Sequence, residues 1–398
     1  MSFQIALTGL NAASADLAVT SNNIANANTT GFKKSRTEFA DVFAGDASGI
    51  GAGVRLTDVR QEYTQGNVDI TERQLDLAIS GDGFFVTSDG GSLLYSRVGA
   101  FGLNNDGFVE NSQGERLQVY APTSDGNFNT GQLQDLELTV DVNPPEQSTL
   151  VDMAINLSAN ATAPTATPFD PNNPDTFNNS TATVVYDSLG VARTANYYFI
   201  KGATDWEVAQ TIDGNVIGTP QPIAFGAGGT LTSPPSGIVN FGTYAPPNGA
   251  ATLDVGLDLT ATTQFGETFV VNSINPDGRA AGRLRAVEID ETGVVFARYT
   301  NGQSTSIGKV ALATFANPEG LAKASDISFQ ETFGSGVALR GEAGTSNFGI
   351  ISSGALESSN VDLTAELVNL ITAQRLFQAN AQVISTFDAV TQTIINIR

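Results

Sequence analysis

Histidine and cysteine supply most catalytic nucleophiles, proton shuttles and metal ligands, and this chain of 398 residues contains neither. Their absence excludes a thiol nucleophile, a disulfide, a histidine-based triad and a structural zinc site of the usual type. The 41 acidic residues outnumber the 19 basic ones, so the formal net charge is −22. Because phosphate backbones are bound by clustered cations, we expect no nucleic-acid partner.

The glycine-rich and Asp/Asn-rich segments offer little more chemistry. Segments 49–53, 81–85 and 334–341 match neither the dinucleotide-binding spacing nor the P-loop spacing, so we interpret them as turns. The segment DPNNPD at 170–175 resembles a calcium loop only loosely, because proline occupies its fifth position and no glutamate follows at the twelfth. We predict no catalytic, cofactor-binding or metal-binding residue, no cofactor, and a protein that is not an enzyme.

Aromatic residues provide one alternative of a different class. Trp206 and the pair Tyr197 and Tyr198 could stack on a sugar, and two of the many carboxylates could flank a glycosidic bond. The chain would then be a secreted carbohydrate-binding or carbohydrate-active β-protein. Aromatic residues in such a strand more often pack in a core or across strands, and we favour that interpretation.

The first thirty residues contain one charged side chain and an apolar seven-residue repeat, which is typical of a helix that packs as in a coiled coil. This repeat consists of Phe3, Leu10, Leu17 and Ile24. A second apolar line on another side of the helix consists of Ile5, Ala12 and Val19. We therefore expect helix neighbours on two sides, of which one intramolecular partner could supply only one.

The last part of the chain, residues 361–398, predicts a similar but longer helix. Its first repeat consists of Leu363, Leu370, Phe377 and Ile384, with Leu367 alongside. Its second repeat consists of Leu376, Val383, Val390 and Ile397. We expect Asn360 to cap this helix and Asp362 to lie in its first turn, where the helix dipole favours an anion.

Between the two helices, short alternating segments separated by Gly/Asn/Asp turns predict antiparallel strands. We assign residues 31–72 to an extended connector, and residues 73–143 with 284–360 to an inner β domain. Residues 144–283 hold 13 of the 15 prolines and predict a separate outer β domain inserted into the inner one. The predicted fold class is α+β multidomain: terminal helices 1–30 and 361–398 forming a coiled-coil-like core, plus two nested, mainly antiparallel β domains.

The segment SNNIANANTTGFKKSR at 21–36 predicts a helix end. Gly31 would occupy the left-handed position directly after the helix, and Phe32 would dock as the chain leaves. Lys33, Lys34 and Arg36 are the densest basic cluster of the chain. We expect them to complement the helix C-terminus or an acidic surface of a neighbour.

This segment and two others resemble the bacterial flagellar rod and hook family. The N-terminal family pattern is matched by Asn23, Ile24, Ala25, Asn26, Thr29, Gly31 and Phe32. The C-terminal pattern is matched by Asn360, Asp362, Glu366, Gln374, Arg375 and Asn380. LDLAISGDGFFV at 75–86 is similar to the segment that opens the family's first β domain.

Within this family, the length and the proline-rich insert resemble the hook members, whereas a distal rod protein, the alternative in the same family, is shorter. The resemblance implies a homopolymer of many copies, a curved helical tube acting as a universal joint that transmits torque from rod to filament. It implies contacts with the distal rod protein, the hook cap protein, the hook–filament junction protein and the flagellar export apparatus. It also implies an extracellular place in the flagellar hook and basal body, reached without a cleaved signal peptide. No stretch is apolar for long enough to insert in a membrane.

Overall fold

The computed structural model describes residues 2–43, 51–138, 142–345 and 347–396. Within these ranges the chain forms two compact units. The first unit contains residues up to 138, residues 286–297 and residues from 304 onward, and the second contains residues 142–285 and 298–303. Ile397 of the predicted helical repeat and residues 49 and 50 of one predicted turn lie outside the described residues.

Two helices lie at the ends of the chain, α1 (Ser2–Ala25) and α2 (Leu363–Asn396), with strands between them. The strands up to the proline-rich segment are β1 (Ser35–Asp41), β2 (Val54–Gln61), β3 (Val68–Ile70), β4 (Leu77–Ser80), β5 (Phe84–Asp89), β6 (Ser92–Ser96), β7 (Gly102–Leu103), β8 (Val109–Glu110), β9 (Arg116–Pro122) and β10 (Phe128–Asp135). The strands of the second unit are β11 (Leu150–Ser158), β12 (Asn179–Tyr186), β13 (Ala192–Lys201), β14 (Trp206–Ile212), β15 (Asn215–Phe225), β16 (Leu231–Ser233), β17 (Ile238–Val239), β18 (Thr243–Tyr244), β19 (Leu253–Asp254), β20 (Gly256–Asp258), β21 (Thr263–Phe265) and β22 (Val270–Pro276). The remaining strands are β23 (Leu284–Ile289), β24 (Val294–Tyr299), β25 (Ser304–Thr314), β26 (Ala322–Lys323), β27 (Ser328–Gln330), β28 (Leu339–Glu342), β29 (Ile350–Ser353) and β30 (Ala355–Glu357). Short 3-10 helices span Pro174–Thr176 and Pro318–Gly320.

The main sheet of the first unit is covered on both faces. Its strands follow the order β23-β24-β25-β9-β5-β6-β27-β26. Along β5, Phe85 belongs to one buried apolar cluster, whereas Phe84 and Val86 belong to another. Because side chains alternate between the faces of a strand, these two clusters lie on opposite faces of the sheet. A strand buried on both sides therefore has a continuous apolar sequence rather than an alternating one.

The predicted connector at 31–72 is a paired structure rather than an extended chain. Strands β1 and β2 form an antiparallel hairpin with Ser35 opposite Gln61 and Asp41 opposite Val54. The following strand β3 pairs with β30, so that Val68 lies opposite Glu357. Alternating charged residues obscured the hairpin in the sequence, and long-range pairing with β30 leaves no local signal.

The second unit is a sandwich of two five-stranded sheets. One sheet has the order β12-β13-β14-β15-β16, and the other contains β17, β20, β11, β21 and β22. Met153 of β11 and Trp206 and Tyr197 of the facing sheet belong to one buried cluster. Strand β11 pairs in parallel with β20 and β21 but antiparallel with β22. The predicted fold class is confirmed: terminal helices pack together, and the middle is mostly antiparallel β-structure.

A buried carboxylate holds one turn of the second unit. Asp187 is fully buried, and it accepts hydrogen bonds from the N–H groups of Leu189 and Val191 at 3.0 and 2.9 Å. It also accepts from Arg193 at 3.1 Å and from the Asn248 amide at 2.8 Å. Burial by itself raises the pKa of Asp187, but these hydrogen bonds outweigh it and hold the pKa below its usual value.

This lowered pKa makes the second unit sensitive to acid. The Asp187 carboxylate stabilises the folded state above its unfolded pKa of about 4, and this contribution is lost as the pH falls through the lower folded pKa. We expect Asp187→Asn to reduce the free energy of unfolding by about 3 kcal/mol at pH 7 and to weaken its decrease below pH 4. The single tryptophan, Trp206, lies in this core, so its fluorescence during urea unfolding reports the change.

Asp254→Asn is the matched control because Asp254 is exposed in the same unit. Equal losses of stability in both variants, or an unchanged pH dependence in the Asp187 variant, would contradict the role of the buried carboxylate.

Candidate assembly region: the paired terminal helices and their junction

The two terminal helices pack against each other in antiparallel orientation. The rings of Phe3 and Phe387 lie 6.1 Å apart between centroids. Further along, α1 approaches α2 so closely at Gly9 that an added Cβ would lie 2.8 Å from Asn380 Oδ1. Since residue numbers rise on one helix as they fall on the other, the helices run in opposite directions. Glycine at position 9 permits this close approach.

The most buried positions of the helix pair are small or polar. On α1, Ala6, Ala13 and Thr20 are buried, and on α2 Glu366 and Ala373 are buried. The larger residues of the predicted repeats lie beside this line. The half-buried ones are Leu10, Leu17, Ile24, Leu370 and Ile384, and the more exposed ones are Phe3, Leu363, Leu367 and Phe377. Small residues let the backbones approach, so the large residues flank the contact and remain partly accessible.

The second side of α1 is covered by the β1–β2 hairpin of the same chain. The Thr8 hydroxyl accepts a hydrogen bond from the Val54 N–H at 3.3 Å, and Thr37 donates to Asp16 at 2.6 Å. Gly53 lies against Thr8 and Ile5. The expectation that the second apolar line of α1 needs a neighbouring molecule is therefore wrong, because a hairpin that the sequence interpretation missed occupies that side.

Among the described residues, no segment covers the outer side of helix α2 in this way. Its large apolar side chains outside the contact with α1 are between 48% and 68% exposed. We call these residues the outer apolar set: Leu367, Val368, Ile371, Leu376, Val383, Val390, Ile394 and Ile395. Three of them, Leu376, Val383 and Val390, belong to the second repeat predicted for this helix. A surface of this size and composition is typical of an interface with another molecule.

The N-terminal family motif forms the end of α1 and its first contacts. Helix α1 ends at Ala25, and Gly31 has a φ of +68° but lies six residues further on. The expectation that Gly31 directly follows the helix is therefore wrong, although its left-handed conformation agrees. The Asn23 amide exchanges two hydrogen bonds with the backbone of Ser35, at 2.8 and 2.9 Å. Asn26 accepts a hydrogen bond from Thr29 at 3.1 Å.

Asn360 does not cap α2 as expected. The cap is Asp362, whose Oδ1 accepts hydrogen bonds from the N–H groups of Thr364 and Ala365 at 2.8 and 3.1 Å. The Asn360 side chain instead accepts from the Lys34 N–H at 2.8 Å and donates to backbone oxygens of residues 62 and 64. Its backbone N–H reaches the carbonyl of Phe32 at 3.4 Å. Both family motifs thus meet in the same place, which we call the junction.

A buried ion pair lies at the centre of the junction. Lys33 Nζ is 2.7 Å from Glu357 Oε1, and the two side chains are 1% and 0% exposed. Lys33 also donates to the Thr64 carbonyl at 2.8 Å, and Glu357 accepts from the Gly66 N–H at 2.8 Å. Arg97 is nearly buried as well, with Nη1 3.6 Å from Glu357 Oε2.

Two buried cations of the junction, Lys33 and Arg97, share the carboxylate of Glu357. Burial lowers the pKa of Lys33; its hydrogen bond and charge interaction with Glu357 oppose this, and the positive charge of Arg97 adds to it. Burial also lowers the pKa of Arg97, against the attraction of Glu357 and Asp82. The attraction of Glu357 thus opposes the effect of burial on both cations, and Asp82 adds to it at Arg97. Sequence reasoning missed Glu357 and Arg97, since residues far apart in the chain carry no local signal of pairing.

The basic cluster at 33–36 serves the chain itself. Lys34 pairs with Glu62 at 3.1 Å, and Arg36 pairs with Glu38 at 3.0 Å. The expectation that these cations complement the helix end or a neighbour is replaced by contacts within the first unit. Lys34 and Arg36 both contact Glu62, so they join the start of β1 to the residue that follows β2.

The remaining residues of the C-terminal motif lie on α2. Glu366 faces α1, and Asn380 bonds to the Leu376 carbonyl at 2.9 Å beside Gly9. Gln374 and Arg375 are exposed, and within the described ranges neither side chain has a hydrogen-bond or ion-pair partner. The structure thus brings Asn23, Asn360 and their neighbours together but leaves these two on the outer side.

Four family models match successive parts of the chain. Residues 3–33 match "Flagella basal body rod protein", and residues 78–163 match "Flagellar hook protein FlgE/F/G D1 domain". Residues 156–279 match "Flagellar basal body protein FlaE D2 domain", and residues 352–397 match "Flagellar basal body rod FlgEFG protein C-terminal". The first and last of these models fall on the helices and the junction.

Relatives that match over almost their full length are flagellar hook proteins. The chain is 39% identical to the flagellar hook protein FlgE of Escherichia coli and 38% to that of Salmonella typhimurium, each over all of both chains. It is 33% identical to that of Rhizobium meliloti, over 98% of this chain and 97% of the relative. The chain belongs to the flagellar hook protein family.

A solved hook protein shares the fold. The crystal structure of Helicobacter pylori flagellar hook protein FlgE2 matches with a TM-score of 0.54 at 16% identity, covering 73% of this chain and all of that one. The hook family is a family of structural proteins rather than enzymes. No described helix is long and apolar enough to cross a membrane.

The residues suggested for carbohydrate chemistry lie elsewhere. Trp206 and Tyr197 are fully buried in the core of the second unit, where they cannot stack on a sugar. Asn173 in the DPNNPD segment caps a short 3-10 helix by accepting from the Asp175 N–H. In the described ranges no group of three acidic side chains is placed to hold a metal ion. The hook-family chain therefore offers the helices and the junction as its functional region.

The buried pair at the junction makes a direct prediction. Lys33→Met leaves Glu357 buried with only Arg97 as a more distant cation, so we expect the free energy of unfolding of the first unit to fall by about 3 kcal/mol. Urea unfolding followed by far-ultraviolet circular dichroism measures the loss.

Lys34→Met is the control because its pair with Glu62 is partly exposed, and such pairs contribute about 0–1 kcal/mol. If both substitutions cost the same, burial of the Lys33 pair would not be what stabilises the junction.

Proposed function

We propose that this chain is a structural subunit of the bacterial flagellar hook, which assembles in many copies into a curved helical tube. The tube joins the rod to the filament and transmits torque as a universal joint. The observation that carries this proposal is the outer apolar set of α2, which no described residue range covers although α1 and the hairpin cover each other. The full-length similarity to flagellar hook proteins supports the same role.

The magnitude of the uncovered surface supports assembly with several neighbours. The outer apolar set contains eight large side chains, each about half exposed. Burying the remaining half of such a side chain contributes about 1 kcal/mol, so the set provides about 8 kcal/mol per copy. Association costs about 4–15 kcal/mol in lost freedom of motion. The free energy gained by burying the set is comparable to the cost of association. Stable assembly is therefore favoured when each helix pair contacts more than one neighbour.

The composition of the helices suits an interior position in such a tube. Along α1 and the described length of α2 the charged residues are Asp16, Glu366, Arg375 and Asp388. Asn, Gln, Ser and Thr occupy most other polar positions, and they can satisfy one another when buried, whereas an unpaired charge would be costly. We extend the proposal to a place in the core of the tube for both helices and to a role without catalysis.

Each proposed partner protein would contact one end of the tube. Copies at the base would contact the distal rod protein, growing ends the hook cap protein, and the completed end the hook–filament junction protein. Delivery would use the flagellar export apparatus without a cleaved signal peptide, and the assembled protein would be extracellular. These contacts rest on the family resemblance of Asn23 to Phe32 and of Asn360 to Asn380.

Disrupting the outer apolar set should stop assembly without unfolding the monomer. Val383 is 48% exposed, so Val383→Glu costs little in the free chain but places a charge in an interface that must exclude water. We expect the concentration needed for tube formation to rise at least about tenfold. Negative-stain electron microscopy and sedimentation of the purified protein measure it.

Gln113→Glu is the matched control, since this exposed residue lies in the turn between β8 and β9 rather than on α2 and gains the same charge. It should raise that concentration much less. Tubes that form equally well from the Val383 variant and from the parent would exclude the outer apolar set as an assembly surface.

A further inference from the structure

The helices and the hairpin enclose a cleft next to the junction. Its volume is about 380 Å³, and it is lined by residues of α1, the first turns of α2 and strand β1. Two carboxylates, Asp16 of α1 and Glu366 of α2, line it together with Lys34 and Arg36. The cleft is large enough for the end of a long side chain.

The cations of the cleft are already paired. Lys34 and Arg36 both contact Glu62, at 3.1 and 3.5 Å, and Arg36 also contacts Glu38. Glu366 differs from these groups: it is only 7% exposed, and in the described part of the chain its carboxylate has no hydrogen-bond or ion-pair partner. Glu366 thus lines the cleft without a described cation as its partner, although two cations lie in the same cleft.

Helix α2 carries a cation that cannot pair with Glu366 of its own chain. Arg375 is exposed and has no partner among the described residues. It lies nine residues after Glu366, which corresponds to about 14 Å along the helix and half a turn around it. Glu366 faces α1, and Arg375 therefore faces away from it.

We propose that the cleft of one copy receives Arg375 of a neighbouring copy, whose guanidinium pairs with Glu366. This inference rests on the proposed polymeric function. The contact is heterologous, since each copy donates Arg375 to one neighbour and offers Glu366 to another. Such contacts generate open helical polymers rather than closed dimers when the rotation does not close. Arg375 lies on the same helix as the outer apolar set, so the pair continues the proposed interface.

A charge exchange tests the pairing. Glu366→Lys and Arg375→Glu each place like charges in every contact, so each should raise the concentration needed for tube formation at least about tenfold. The double variant restores opposite charges and should return that concentration to within about threefold of the parent value. A double variant that assembles no better than either single variant overturns the proposal.

A second double-mutant cycle, with Glu366→Gln in place of Glu366→Lys, tests the pairing even if Glu366→Lys disturbs the fold. Glu366→Gln removes the repulsion felt by Arg375→Glu, so E366Q/R375E should assemble at lower concentration than R375E alone. Lys323→Glu, an exposed residue with the same change of charge, should have little effect. Failure of the parent chain to polymerise contradicts the proposed function and this pairing together. Polymerisation of the parent without rescue in either cycle contradicts the pairing alone.

Discussion

The buried pair of Lys33 and Glu357 joins the two ends of the chain. Lys33 lies eight residues after α1 ends at Ala25, and Glu357 lies six residues before α2 begins at Leu363. The side chains are 2.7 Å apart and excluded from water, so neither can leave without exposing an unpaired charge to a low-dielectric interior. The antiparallel contact of the helices and the position of the β1–β2 hairpin both depend on this one connection.

The polar residues around the pair fix the direction in which the helices leave the first unit. Asn23 bonds to the backbone of Ser35 at the end of α1, and Asn360 bonds to two chain segments before α2, at residue 34 and at residues 62 and 64. Amide side chains provide both a donor and an acceptor, so each can bridge backbone groups without introducing charge. A helix pair that transmits force needs these directional hydrogen bonds at its end, because apolar contacts alone would allow the two helices to slide past each other.

Periodicity predicted the helices well, since it is a local property of the sequence. The expected repeats from Phe3 to Ile24 and from Leu363 to Ile384 lie on α1 and α2, and the proline-rich segment forms the separate sandwich around Trp206. The contacts of the junction could not be predicted from the sequence. Lys33 and Glu357 are 324 residues apart, and nothing near either residue indicates its partner. Asn360 matched the sequence pattern of a helix cap. Its side chain instead forms tertiary hydrogen bonds, and Asp362 caps the helix.

The two helices differ in how much of their apolar surface the rest of the chain covers. The hairpin covers the second side of α1, so that the N-terminal helix is largely satisfied within the chain. Helix α2 is longer, and no segment in the described part of the chain covers it in the same way. Ile394 and Ile395 near its end are 64% and 68% exposed. A chain that covered α2 as fully as α1 would expose less apolar surface and would have a weaker driving force for association. The unequal covering of two similar helices thus leaves on α2 the apolar surface that the proposed assembly would bury.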